Sequence, residues 1–438
     1  MQFHSVEYTS ESQHAVEHTT CCIVGGGPAG AVLALLLARQ GIAVTLLEKH
    51  NDFLRDFRGD TIHPSTLQVL DEIGLAERLL ALPHSRVDGQ AFVTSRDILR
   101  LASFQHLRTK YPFVALIPQH EFLAFITKEA SQYSTFRLLM NAQAEEVIEE
   151  QGVVQGVRYR AQDGLHELRA LLTIGADGRS SPIRKQLGWQ PVQSRQAMDV
   201  LWFRLPKHAD EEQQIRVQQG NGHLLVMLPR SDYWQIGYVI PKGGYQAIRA
   251  EGIDALQRDL ASMIPSWRDR FEMLTDWKQL PMLSVESSYL RRWHGPGMLL
   301  IGDAAHVMSP IGGVGINYAI QDAVVAANLL TKPLQRGKVT DAELAQIRKQ
   351  RIIPIRVIQV LQNLLQRTLL TKALATKQPL NIPRFLYLLP RIPVLRTIPA
   401  RLIAIGLVRV HVQASLRAAH PVASHVPEHT VATGAGDL

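Results

Sequence analysis

Between Cys21 and Glu48 the chain reads CCIVGGGPAGAVLALLLARQGIAVTLLE, and this stretch decides the fold. Cys21 to Val24 is a short apolar run, as a buried strand requires. Gly25, Gly27 and Gly30 follow at the G-x-G-x-x-G spacing, directly after a strand, which is where that spacing carries meaning. The first glycine permits a tight turn, the second lets a pyrophosphate approach the backbone, and the third lets the next helix lie close to the strand. Pro28 suits a first helical turn, where no amide donor is needed. Ala29 to Ala38 is apolar on nearly every face, which predicts a buried helix with its N-terminal amides turned to an anion. Gly41 ends it. Ile42 to Leu47 reads as a second buried strand, and Glu48 closes it with a carboxylate suited to ribose hydroxyls. Strand, glycine turn, helix, strand and acid together predict a dinucleotide site, with Lys49 at its edge.

A chain of 438 residues exceeds the size at which one core keeps growing, so two interleaved domains are expected. Its two cysteines are adjacent and fall inside the first strand, which suits neither a disulfide framework nor a metal site. Residues 1–18 carry acids and histidines without an apolar core, so they read as a disordered leader and not as a secretory signal. No apolar run is long enough to span a bilayer. Charge is unevenly spread. Thr331 to Val410 holds fifteen Lys or Arg against Asp341 and Glu343, a local +13 in a chain of net +8, and no acid occurs from Leu344 to Pro427.

Beyond Glu48, a loop with Arg58 leads to a short amphipathic helix that Pro64 opens and Gly74 caps. On spacing alone Arg58 reads as a solvated loop charge. Tyr111 to Ile117 predicts a strand, and Pro118 with Gln119 opens a helix. A hairpin is expected around Gln162, Asp163 and Gly164. The apolar run into Gly175 ends on the turn Asp177–Gly178, after which Ser181 and Pro182 start a helix. Segments 200–205, 223–229 and 233–241 pattern as hairpin strands, forming a second wall over the ligand, with Trp202, Trp234 and Tyr238 as candidate pocket aromatics. Met298 to Ile301 then runs into GDAAHVMSPIGGVGINYAIQDA. Asp303 stands at a strand's carboxyl end, and Gly312, Gly313 and Gly315 leave amides uncovered ahead of a helix from Ile316. Two such glycine-rich openings imply one long ligand bridging them. His306 reads as a packed histidine more than a base. Segments 340–372 and 383–410 pattern as apolar, basic helices broken by prolines at 354, 379, 383, 390, 393 and 399, and 413–438 as a disordered tail.

GGGPAG with Glu48, then Arg58, then GADGRSSPIR, then GDAAHVMSPIGGVGIN resemble, in order and separation, the motif set of the class A, single-component FAD-dependent monooxygenases, the p-hydroxybenzoate hydroxylase-like family. The match covers about Cys21 to Leu330. It implies a Rossmann-like α/β FAD domain of glutathione reductase type (19–190 and 281–330, with 80–117 partly in the substrate domain). That domain is interleaved with an antiparallel substrate sheet (191–280) and followed by a basic helical region (331–412). Gly25, Gly27 and Gly30 would hold the FAD pyrophosphate, Glu48 the adenosine ribose, and Arg58 the diphosphate. Asp60 and Thr61 would lie near the flavin, and Gln119 would touch the cofactor. Asp177 would serve FAD and transient NAD(P)H docking, and Asp303 the ribityl chain. Pro310 and the amides of Gly312, Gly313, Gly315, Ile316 and Asn317 would border the flavin. The implied reaction is NAD(P)H- and O2-dependent hydroxylation of an aromatic or lipophilic small molecule through a flavin hydroperoxide. Arg58, His63 and Pro310 are the catalytic candidates, and no metal is implied.

Where family members often have GQG, this chain has Gly313, Val314 and Gly315. No W-x-W-x-I motif of a halogenase occurs. A flavin-dependent reductase of a prenyl-like substrate and a non-catalytic FAD-binding escort protein stay open. The acid-free region suits either a cap on the active-site mouth or peripheral contact with an anionic membrane. No nucleic-acid module accompanies the charge. A monomer or homodimer is expected, cytoplasmic or peripheral on a membrane's inner face.

Overall fold

The computed structural model describes residues 16–54, 60–93, 98–220, 222–375 and 393–419. An eight-stranded sheet holds the nucleotide unit, its main path running His294–Gly295, Met298–Leu300, Gly164–Gly175, Glu17–Val24, Val44–Leu47 and Phe136–Leu139. All neighbours from Met298–Leu300 to Phe136–Leu139 pair in parallel, so crossovers must cover the sheet. The helix Pro28–Ala38 is one of these crossovers, and every residue from Ala29 to Ala38 is buried, as the all-apolar pattern requires. The second strand starts at Val44, two residues later than the pattern indicated. The hairpin at Gln162–Gly164 forms as read, Ala161 pairing with Gly164. Cys21 and Cys22 are fully buried free thiols, and burial pushes Cys22 up to about 12, which leaves it unreactive.

Seven strands make the second sheet, in the order Met282–Leu283, Met198–Pro206, Tyr233–Pro241, His223–Pro229, Ile215–Gly220, Gly89–Val93 and Ile98–Ser103. The last two come from the 80–117 region and join through a parallel pairing with Ile215–Gly220. The pleat sends alternate residues to opposite faces. Phe203, Leu225, Trp234, Ile236 and Tyr238 face outward into a core shared with the helices Ile253–Met263 and Arg268–Phe271. Val200, Leu224 and Val239, with half-buried Trp202 and Val226, face inward toward Ile311 and Leu370. Trp234 and Tyr238 were expected in the substrate pocket. They are instead 1% exposed on the outer face, where Trp234 Nε1 donates to Glu211 at 2.9 Å and the Tyr238 hydroxyl donates to Asp259 at 2.6 Å. Their shared parity along one strand sends both the same way, and it is the wrong way.

Three further expectations change. The leader was read through residue 18, yet the first strand begins at Glu17, which pairs with Arg137 and accepts from the Tyr159 hydroxyl at 3.1 Å; residues 1–15 lie outside the described chain. Pro354 does not break its helix. Asp341–Leu365 runs through it, started by a capping box in which Thr340 and Glu343 satisfy each other's amides, and Pro354 is buried on the packed face. The tail does not begin at 413: Ala414–Arg417 is a helical turn, with Leu416 buried, that docks on the end of the first helix. There Arg39 donates to the Arg417 carbonyl at 2.8 Å, and Gln40 donates to those of Leu416 and Ala418 at 3.1 and 3.0 Å. Of the expected helix at 383–410, Pro393–Ala404 is helical and the part up to 392 is outside the described residues.

Candidate active site

The glycines of the first turn have separable duties. A Cβ on Gly25 would stand 2.4 Å from the Ala176 carbonyl oxygen, and one on Gly30 2.0 Å from that of Gly25. Both are packing requirements. At Gly27, the residue before Pro28, a Cβ would meet none of the described residues within 4 Å, which leaves the helix N-terminus open on that side, as an anion site requires. Glu48, buried at the strand end, accepts the Gly26 amide at 3.0 Å and the His50 amide at 3.1 Å. Its Oε1 also bonds His50 Nδ1 at 2.5 Å. Lys49 is exposed beside it. Arg58 lies outside the described residues.

Asp177 and Gln119 each bury an oxygen, Asp177 Oδ1 and Gln119 Oε1, that has no hydrogen-bond partner among the described residues. Burial pushes the Asp177 carboxyl up, opposed by Ser181 and by the Ile183 amide, which its other oxygen accepts at 3.1 Å. Orphaned acceptors of this kind are costly unless a ligand supplies the donors.

The two glycine-rich openings meet. Gly302, at positive φ in the turn carrying Asp303, lies so close to Ala29 of the first helix and Ala319 of the helix Gly315–Gln335 that a Cβ would stand 3.1 and 3.4 Å from theirs. The turn carrying Asp303 therefore lies against the beginnings of both helices.

A family model described as "FAD binding domain" matches residues 18–353. This chain belongs to that family. It is an FAD-dependent monooxygenase of class A. It is 34% identical over 338 residues to 6-methylpretetramide 4-monooxygenase of Streptomyces rimosus, covering 76% of this chain and 80% of that one. With the rifampicin monooxygenase of Streptomyces venezuelae it shares 27% over 321 residues, 69% of this chain and 61% of the other, so it spans less than two thirds of that enzyme. The crystal structure of pqsL, a probable FAD-dependent monooxygenase from Pseudomonas aeruginosa, superposes with a TM-score of 0.70 at 22% identity, covering 82% of this chain and 99% of that one, and shares the fold.

In this monooxygenase the loop Ser309–Ile316 is held from three sides. Asn317 uses its whole side chain: Oδ1 accepts the His63 amide at 2.9 Å and the Thr66 hydroxyl at 2.7 Å, and Nδ2 donates to the Thr61 carbonyl at 3.0 Å. Thr61 in turn donates to the Gly313 carbonyl at 2.8 Å. The Asn317 side chain is thus fully engaged within the protein. From the third side, a row of glutamines on the helix Asp341–Leu365 and its continuation grips the loop. Gln362 donates to the Ser309 and Ile311 carbonyls at 2.9 and 2.8 Å, flanking Pro310, and Gln359 to those of Ser288 and Val307. Gln366 donates to the Ser309 hydroxyl at 3.0 Å.

Sequence reasoning missed Arg230. It is 3% exposed at the end of the strand His223–Pro229, pairs with Asp60, and donates to Gln235 Oε1 at 2.6 Å, with no partner for Nη1 among the described residues. Asp60 also accepts the Gln119 amide at 3.1 Å, and burial raises its carboxyl against the pull of Arg230. The pair joins the FAD domain to the substrate sheet. It was missed because an arginine in a Pro-Arg-Ser-Asp turn reads as a hairpin charge.

His63 is 1% exposed and its Nδ1 donates to the Ile403 carbonyl at 2.8 Å. Burial lowers its pKa to about 4 from 6.5, so the imidazole is neutral near pH 7. Because the folded value is depressed, the unfolded chain takes the proton first. Stability is complete above pH 6.5 and falls as pH drops toward 4, by roughly 3 kcal/mol. Thermal unfolding against pH is expected to show this loss, and His63→Asn to remove about one proton from its slope. An unchanged slope in the variant would refute the assignment.

His306, read as packed, is 1% exposed and bonds Asp322 Oδ2 through Nε2 at 2.6 Å. Asp322 also accepts Arg351 Nε at 2.7 Å and the Gly302 amide at 3.1 Å. A fully buried carboxylate thus fixes the turn that carries Asp303.

Proposed function

We propose that this monooxygenase uses NADH or NADPH with O2 to hydroxylate an aromatic or other electron-rich, lipophilic small molecule, working as a monomer or homodimer in the cytoplasm or at a membrane's inner face. One observation carries the reading: the loop Ser309–Ile316, through Ile311, packs with Leu370 against an apolar sheet face on which Trp202, Val226 and Leu283 are half-buried. Such a lining favours a flat, apolar substrate over a charged one.

FAD, when bound, supplies dioxygen activation and oxygen transfer. The protein's own residues do the rest. The Gly27 turn and helix N-terminus hold the diphosphate, and Glu48 orients a ribose. Gln119 Oε1 and Asp177 Oδ1 would accept hydrogen bonds from the cofactor, and Asp303 would hold its sugar chain. The amides of Gly313, Gly315 and Asn317 offer positive potential to negative charge on the ring. The sheet excludes water and sets the substrate's plane. His63, locked to the Ile403 carbonyl, positions the segment behind the loop.

The test is turnover by yellow, purified protein across phenols, quinones and polycyclic aromatics, including 6-methylpretetramide and rifampicin. Expected are NAD(P)H oxidation accelerated by substrate and a product heavier by one oxygen. Flavin-loaded protein that never oxidises NADH or NADPH would favour the escort reading and overturn this one.

A further inference from the structure

We infer that the outer face of the helix Asp341–Leu365 docks on an anionic lipid bilayer. On that face Ile353, Val357, Val360 and Leu364 are 64%, 40%, 58% and 55% exposed. Steps of four, three and four residues align them in one stripe about 16 Å long. The opposite face buries Arg351, Ile355, Ile358 and Gln362, so the packed side is already accounted for.

The rest of this stretch of sequence has the same character. Of the twelve exposed large hydrophobic side chains among the described residues, seven fall between 353 and 408, the other three being Ile398, Leu407 and Val408. This is the stretch that lacks any acid from Leu344 to Pro427. Exposed Lys349 and Arg367 stand at the two ends of the stripe.

Charge selects the occupant. A second copy would bring an equally basic, acid-free face against this one, and like charges oppose such contact. A nucleic acid would satisfy the charge but leave four aliphatic side chains in water. An anionic bilayer meets both needs, with headgroup phosphates for the cations and the acyl boundary for the stripe. Four aliphatic side chains alone anchor weakly, so binding requires both signals and weakens with salt. The value of docking rests on the proposed lipophilic substrate. The glutamines holding the active-site loop lie on this same helix's inner side, so the bilayer and that loop are separated by about one helix diameter, roughly 10 Å.

Flotation of the holoenzyme, without substrate, tests the docking independently of the hydroxylation chemistry, whose own failure shows as absent NAD(P)H oxidation. At low salt the enzyme is expected to float with phosphatidylcholine vesicles containing phosphatidylglycerol and not with phosphatidylcholine alone. V360E/L364E is expected to abolish flotation, and K349Q/R367Q to lower partitioning about thirtyfold, both variants keeping their flavin absorbance. No flotation with the anionic vesicles overturns the inference. So does flotation that both variants retain, or a concentration-dependent dimer that V360E/L364E dissolves without any lipid binding.

Discussion

Gly27→Val is expected to fold with unchanged thermal stability and to purify colourless. The position has φ −72° and ψ −178°, which a β-branched residue adopts readily, and a Cβ there touches none of the described residues within 4 Å. The new side chain fills only the space over the helix N-terminus, where the diphosphate would sit. Losing about two charge-assisted hydrogen bonds lowers FAD affinity about a hundredfold or more, readable by titrating apoprotein with FAD and following flavin fluorescence. Gly30→Ala, three residues on, drives a Cβ to 2.0 Å from a backbone oxygen and is expected to prevent folding. The contrast separates ligand contact from packing. A yellow Gly27→Val protein with unchanged affinity would remove Gly27 from the cofactor site.

The other large effect is expected from Asp322→Ala. It strands the Arg351 guanidinium, which is 1% exposed, and unpins the Gly302 turn. Removing one partner of a buried pair costs about 3–5 kcal/mol. D322A/R351M should recover part of that loss, because the unpaired charge goes with it. Flavin affinity should stay weakened in both variants, since neither restores the bond to Gly302. Burial pushes the Asp322 carboxyl up, but His306 and Arg351 hold it below the ordinary range. The stability it contributes is therefore present at neutral pH and lost as pH falls through its folded value. Chemical denaturation of the three proteins measures this, and a double variant no more stable than Asp322→Ala would refute the pairing argument.

The Cys21–Glu48 unit was legible almost residue by residue, because hydrophobic period, glycine spacing and a terminal acid all belong to one continuous segment. Sheet hairpins were legible for the same reason. Side-chain destinations were not. Trp234 and Tyr238 were assigned to the pocket by residue type, whereas the pleat gives them to the outer core. Arg230 meets Asp60 across 170 residues, and Arg351 meets Asp322 from the next helix, and no local pattern signals either partner. Gln359, Gln362 and Gln366 look like ordinary polar positions on an amphipathic helix, and only the fold reveals that they face inward. The missing GQG amide leaves Val314, which is buried under the loop; the side-chain amides near this loop come instead from Asn317 and Gln362.

The dock of Ala414–Arg417 on Arg39 and Gln40 also bears on how the enzyme is made. Arg39 and its carbonyl partner are 378 residues apart. A ribosome releases the first helix long before the segment that ties down its end, so the nucleotide unit must wait, loosely held, through most of synthesis. Contacts of such long separation form late and slowly. The nucleotide unit, translated long before the segment that ties it down, is finished only after it, and flavin uptake before Ala418 is made would meet an unfinished cradle.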